Sequence, residues 1–209
     1  MIITHHGGQC FKVAFGDTTL AFDPISKESK KLEAVKFGAD IVFISLNGPD
    51  FNGVEQVTYG ERQPFVIDGP GEYEVKKVTA LGFPTTSTYG GKERSNTVYF
   101  VELEGMNLCF LGALGMPNLP QEAREAVDDI DILFVPVGGD GVLTPSEANA
   151  LAVKLEPHLI IPMHFGGIGQ KDALKQFLKE AGSVDTKPIE KLTVKKKDLE
   201  GKEGEIVLL

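Results

Sequence analysis

Apolar residues in this chain fall in short blocks punctuated by glycine, and their spacing changes character midway. Residues 10–15 and 19–22 flank the Gly16-Asp17 turn and predict a β-hairpin. Pro24 forbids continuation of the second block as a central strand. Residues 26–37 are rich in lysine, with Leu32, Val35 and Lys36 spaced for one helical face, so a helix is expected there. The near-continuous apolar run at 40–45 fits a strand buried on both faces. A loop rich in Asn, Gly, Pro and Asp follows at 47–53. Strands are then expected at 63–67, 73–81, 97–103 and 107–111, with Glu104-Gly105 turning the last pair.

The second half alternates strands and helices. Residues 120–127 read as a helix and 130–137 as a buried strand. Thr144-Pro145-Ser146-Glu147 is a capping box with proline at the first helical position, and it opens a helix to about Leu155. Residues 159–163 form a strand ending at His164, and a helix over 171–181 stops at Gly182. Strands at 192–196 and 205–208 are expected to close the chain as a C-terminal hairpin over about 189–209. This order suits an αββα sandwich or another α/β layering, and the pattern alone does not choose between them.

The length of 209 residues fits one domain spanning 1–209. An apolar content of 42% and a charged content of 24% are ordinary for a globular chain. Cys10 and Cys109 sit in apolar runs and read as buried free thiols of a reducing compartment. The N-terminus lacks the basic and apolar regions of a signal peptide, and no apolar stretch is long enough to span a bilayer. A cytoplasmic protein without a membrane partner is expected. The net charge of −9 repels phosphate backbones and argues against a nucleic-acid partner. The one basic run, Lys195-Lys196-Lys197, reads as a solvated turn or strand edge.

Several segments together resemble the metallo-β-lactamase superfamily, in particular its ascorbate-6-phosphate lactonase-like and zinc-dependent hydrolase branch. The opening Ile3-Thr4-His5-His6-Gly7-Gly8-Gln9-Cys10-Phe11 looks like that branch's first strand, and Leu20-Ala21-Phe22-Asp23-Pro24 like its second. Val135-Pro136-Val137-Gly138-Gly139, Thr144-Pro145-Ser146-Glu147-Ala148 and Ile161-Pro162-Met163-His164-Phe165-Gly166 match the last two strand–helix units in order and spacing. The resemblance covers residues 1–170 and implies an α/β fold, a four-layer αββα sandwich. It also implies a dinuclear zinc centre that lowers the pKa of a bridging water to make a nucleophile.

The residues that would hold this metal are largely missing. The family's loop pattern Thr-His-x-His-x-Asp-His falls on Ser45-Leu46-Asn47-Gly48-Pro49-Asp50-Phe51, so Leu46, Gly48 and Phe51 stand at the histidine positions and only Asp50 survives. Ala113, in Gly112-Ala113-Leu114-Gly115, stands at the bridging aspartate. Gly8 takes another histidine position, and no histidine occurs between Leu81 and Ser95. His164 matches the final histidine. Leucine, glycine, phenylalanine and alanine carry no side-chain donor for a cation.

The resemblance and these losses together imply a noncatalytic or catalytically altered descendant that binds a small molecule or a protein, with no cofactor. Homo-oligomers are common among relatives and are expected here. The alternative is a mononuclear hydrolase of a lactone, phosphodiester or other ester. Asp50 and His164 would then be catalytic, and Asp23, Asp50 and His164 would ligate one zinc, manganese or iron ion. A nucleic-acid processing role, known for other members of the fold, is disfavoured by the charge. For each residue a plainer reading stands beside the functional one. Asp50 fits a turn residue in its Asn/Gly/Pro-rich loop, Asp23 organises loop backbone before a proline, and His164 is a strand-end imidazole held by hydrogen bonds. Glu72 and His6 are weaker candidates to face the pocket. Adjacent His5 and His6 point to opposite faces.

Overall fold

A computed structural model describes residues 1–61, 63–126 and 129–209. Two mixed sheets pack face to face. The first carries β1 (Ile2–His5), β2 (Phe11–Phe15), β3 (Thr18–Phe22), β4 (Ile41–Phe43), β5 (Phe65–Ile67) and, far along the chain, β12 (Leu192–Thr193), in the order β12-β1-β2-β3-β4-β5. The second carries β6 (Gly71–Val75), β7 (Val78–Ser87), β8 (Arg94–Leu103), β9 (Met106–Phe110), β10 (Ile132–Pro136), β11 (Leu159–Met163) and β13 (Glu205–Ile206), in the order β13-β11-β10-β9-β8-β7-β6. Strands β3, β4 and β5 run parallel, as do β9, β10, β11 and β13.

The core lies between the sheets, where Phe11, Phe22 and Phe43 of the first meet Tyr99, Phe110 and Phe134 of the second. Phe22 lies 4.9 Å from Phe110 and Phe11 lies 4.8 Å from Phe134, centroid to centroid. Tyr99 is the polar member, and its hydroxyl donates to the carbonyl of Ile44 at 2.8 Å. The outer face of the second sheet packs on α1 (Gln121–Glu125), α2 (Pro145–Leu155) and α3 (Ala173–Glu180) through Ala123, Ala148, Leu151 and Phe177. The capping box on α2 forms as the sequence predicts, with Thr144 and Glu147 satisfying each other's backbone.

Three expectations are corrected. Residues 26–37 form no helix; the segment is irregular chain pinned by Ser29 and Leu32, and with the 3-10 turn Val54–Gln56 it covers Cys10, Ala21 and Val42 on the outer face of the first sheet. The single strand expected at 73–81 is a hairpin of β6 and β7 turning at Lys76 and Lys77, both with positive φ (50° and 65°). The terminal strands do not pair with each other: β12 joins β1 antiparallel and β13 joins β11 parallel, so the tail straddles both sheets instead of forming a hairpin. Lys196, from the basic run, pairs with the buried carboxylate of Asp131 at 2.7 Å. Val127, the end of the helix expected at 120–127, lies outside the described residues. Among the described residues no helix is long and apolar enough to cross a membrane.

Candidate functional site

Parallel strands bring the loops after β3, β4, β9, β10 and β11 to one end of the sandwich, the usual place for a site in an α/β sheet. There three of the positions that the resemblance assigned to metal ligands converge on apolar side chains. Leu46, Phe51 and Ala113 are buried in one cluster with Tyr89, Val142 and Ile168. Gly8 abuts the same cluster, since a Cβ there would lie 2.6 Å from Leu32 Cδ1 and 3.2 Å from Ile168 Cδ1. Gly48 lies under the guanidinium of Arg94, which donates to the carbonyl of Asn47.

His164 is fully buried beside this cluster. Its ring stacks 6.1 Å from Phe51 and meets Tyr89 edge to face at 5.1 Å. Its backbone has φ of 64°, a left-handed conformation uncommon for a residue with a side chain. Neighbours hold it there: its N–H donates to Gly8 at 2.7 Å, and a Cβ on Gly138 would sit 2.3 Å from its carbonyl oxygen. Burial, with a smaller contribution from Lys31, pushes the imidazole pKa down to about 3, so it is neutral at pH 7. Its Nδ1 lies 2.7 Å from the side-chain nitrogen of Gln9, while its Nε2 has no hydrogen-bond partner among the described residues.

The two aspartates are engaged elsewhere. Asp50 accepts from Ser29 Oγ at 2.6 Å and from the Tyr89 hydroxyl at 2.8 Å. Lys31 completes that network, its ammonium 3.0 Å from the Tyr89 oxygen and 4.5 Å above the ring. Burial, then the hydrogen bond to Asp50, raises the Tyr89 pKa, so the phenol stays protonated as the donor. Asp23, also at positive φ (41°), accepts from Ser45 backbone N–H at 2.7 Å and Oγ at 2.5 Å. Burial pushes its carboxyl up to about 8 against these two hydrogen bonds. The turn at 112–115 is held by Asn96, whose Oδ1 accepts from Ala113 N–H at 2.8 Å.

Among the described residues, no three His, Cys, Asp or Glu side chains come together as a group able to hold a metal ion. The donors near the pocket are one imidazole and two carboxylates already bound to protein donors, so this set does not fit a dinuclear centre. His5 stacks on Phe11 and His6 on Phe37, and Glu72 is exposed on β6, so the weaker candidates add nothing. Four residues that organise the site, Gln9, Ser29, Lys31 and Tyr89, carry no signature in the sequence. Gln9 follows Gly7-Gly8 just ahead of the apolar block at 10–15, and Tyr89 precedes Gly90-Gly91, which are the local hints.

A two-sheet sandwich with helices outside and its functional loops at the parallel strand ends defines a protein of the metallo-β-lactamase fold. A sequence model of the beta-lactamase superfamily domain matches residues 2–164, and the chain belongs to the metallo-β-lactamase superfamily. The crystal structure of a protein from Thermotoga maritima, described as a Zn-dependent hydrolase of that superfamily, is similar with a TM-score of 0.77 and 30% identity, covering 99% of this chain and 97% of that one. Metal-dependent hydrolases from Listeria innocua (23% identical over 207 residues, 79% of this chain and 85% of that protein) and Thermoplasma acidophilum (25% over 186 residues, 78% and 82%) are also similar.

Proposed function

We propose that this protein is a metallo-β-lactamase-fold relative of metal-dependent hydrolases in which a packed set of side chains stands where the family's metal centre would be, and that it acts by binding a small molecule or a protein. The observation that carries this reading is the burial of Leu46, Phe51 and Ala113 in one apolar cluster against a neutral His164. Three of the five replaced positions, Leu46, Phe51 and Ala113, carry packing residues, and the surrounding loops are joined by Asp50, Tyr89, Ser29 and Lys31. Filling the pocket with Phe51 and Leu46 contributes roughly 1.5–3 kcal/mol per side chain, which favours the closed arrangement. The test is a hydrolysis screen over lactones, phosphodiesters and carboxylic esters with added zinc, manganese or iron. No turnover above the uncatalysed rate is expected; metal-dependent turnover lost in His164→Ala would defeat the reading.

The second reading is a mononuclear hydrolase, favoured by the Nε2 of His164, which has no partner among the described residues, and by the metal dependence named for its relatives. His164, Asp50 and Asp23 would be the ligands, and Asp50 would have to abandon both Ser29 and Tyr89. Activity that survives His164→Ala and Asp50→Ala alike would eliminate this version.

A further inference from the structure

We infer that Gln9 fixes His164 in the tautomer whose proton sits on Nε2, and so makes the pocket's imidazole a hydrogen-bond donor instead of a cation ligand. This deepens the reading of a converted metal pocket and rests on it. The Gln9 side-chain nitrogen lies 3.1 Å from the carbonyl oxygen of Gly112 and 2.7 Å from Nδ1 of His164. A carbonyl oxygen only accepts, so the amide end facing Gly112 is the NH2 group. Reversing the amide would set two acceptor oxygens against each other. The second hydrogen of the same NH2 group points at His164 Nδ1, which must accept it with its lone pair. A neutral imidazole has a single N–H, and that N–H is therefore at Nε2.

A histidine that binds a metal has the opposite polarity. It gives its other N–H to a carboxylate, carbonyl or water and keeps a lone pair for the ion. Gln9 offers hydrogens where such a partner offers an acceptor. Gly112 holds Gln9 in this sense, and Gly112 is itself fixed: its φ is 57°, and a Cβ there would lie 2.3 Å from Ser45 Cβ. Gln9 and His164 are both fully buried, so solvent does not compete for either contact. What the Nε2–H of His164 can take is an acceptor oxygen. Gln9 is thus a positioning residue that selects against cations at this end of the sandwich.

Long-range 1H–15N spectra of the full-length, histidine-labelled protein at pH 7 test this directly, with His164→Gln identifying the signal among four histidines. The expected result is a protonated Nε2 and an unprotonated Nδ1 for His164, unchanged on adding zinc. In Gln9→Glu the carboxylate accepts from Nδ1, so the tautomer should invert and the His164 signals should respond to zinc. If that variant does not fold, Gln9→Leu should give a mixture of tautomers. A protonated Nδ1 in the wild type, or a pure Nε2–H form in folded Gln9→Glu or Gln9→Leu, overturns the inference. Failure here is separable from failure of the proposed function: a metal-free wild type with its proton on Nδ1 contradicts only the role of Gln9, whereas two tightly held zinc ions contradict the converted pocket itself.

Discussion

The Tyr89 hydroxyl donates to Asp50 at 2.8 Å and thereby joins the connection between β7 and β8 to the loop after β4. Both residues are buried, with 4% and 8% of their surface exposed. This hydrogen bond spans two loops at the pocket end of the sandwich. Ser29 adds the other donor to the carboxylate and brings the irregular segment 26–37 over the top.

Tyr89→Phe removes one donor from a buried carboxylate while keeping the aromatic packing against Phe51 and His164. A hydrogen bond to a charged group contributes about 1.5–3 kcal/mol. Urea unfolding should show a loss of about that size through a lower midpoint with an unchanged slope. A loss below about 0.5 kcal/mol would mean that the contact does not hold the loops.

Ala113→Asp introduces a carboxylate into a site with no exposed surface among Leu46, Phe51 and Ile168. An unpaired buried charge costs several kcal/mol or forces protonation. The variant should be less stable than the wild type by more than about 3 kcal/mol, and zinc should not restore it. A rise in Tm on adding zinc would show that a coordination site is still latent.

Stability should depend on pH through Asp23 and His164 with opposite signs. The Asp23 carboxyl titrates near 8 in the folded chain against an ordinary 3.8, so its contribution is complete below 3.8 and is lost as pH rises through 8. His164 titrates near 3 against 6.5, so its contribution is complete above 6.5 and is lost as pH falls toward 3. The two oppose each other between about pH 4 and 6.5, which leaves a net decline from about 6.5 to 8. That decline, at most about 1.4 kcal/mol per pH unit, should vanish in Asp23→Asn. An equal slope in wild type and variant, measured by urea unfolding from pH 6.5 to 8, would contradict the assignment.

Thr144→Ala removes the side chain that caps α2 and should cost about 1 kcal/mol without altering the pocket. The check is urea unfolding together with an unchanged His164 spectrum. A shift of the His164 signals would show that α2 and the pocket are coupled.

What the sequence made legible was local. The capping box at Thr144 and Glu147 reads directly from four residues, and the buried strands Ile132–Pro136 and Leu159–Met163 read from uninterrupted apolar runs. The turn at Lys76-Lys77 was invisible because it lacks the Asn-Gly or Asp-Gly signal that its positive φ values favour. The segment 26–37 looks helical by the spacing of Leu32 and Val35. Tertiary contacts decide otherwise: Leu32 packs against the pocket cluster while Val35 packs on the first sheet. The pocket itself was half legible. Alignment to the family's motif located Leu46, Phe51, Ala113 and His164, but the residues that hydrogen-bond Asp50 and His164 come from distant loops. Ser29, Tyr89 and Gln9 meet Asp50 and His164 only in the fold, at separations of 21, 39 and 155 residues.

Metal stoichiometry tests the central claim most directly. The measurement is inductively coupled plasma mass spectrometry on untagged protein purified without chelator, after dialysis against zinc, with His164→Ala treated identically. A converted pocket predicts transition metal far below one equivalent in both proteins. Two equivalents in the wild type, or one that disappears in His164→Ala, would contradict it.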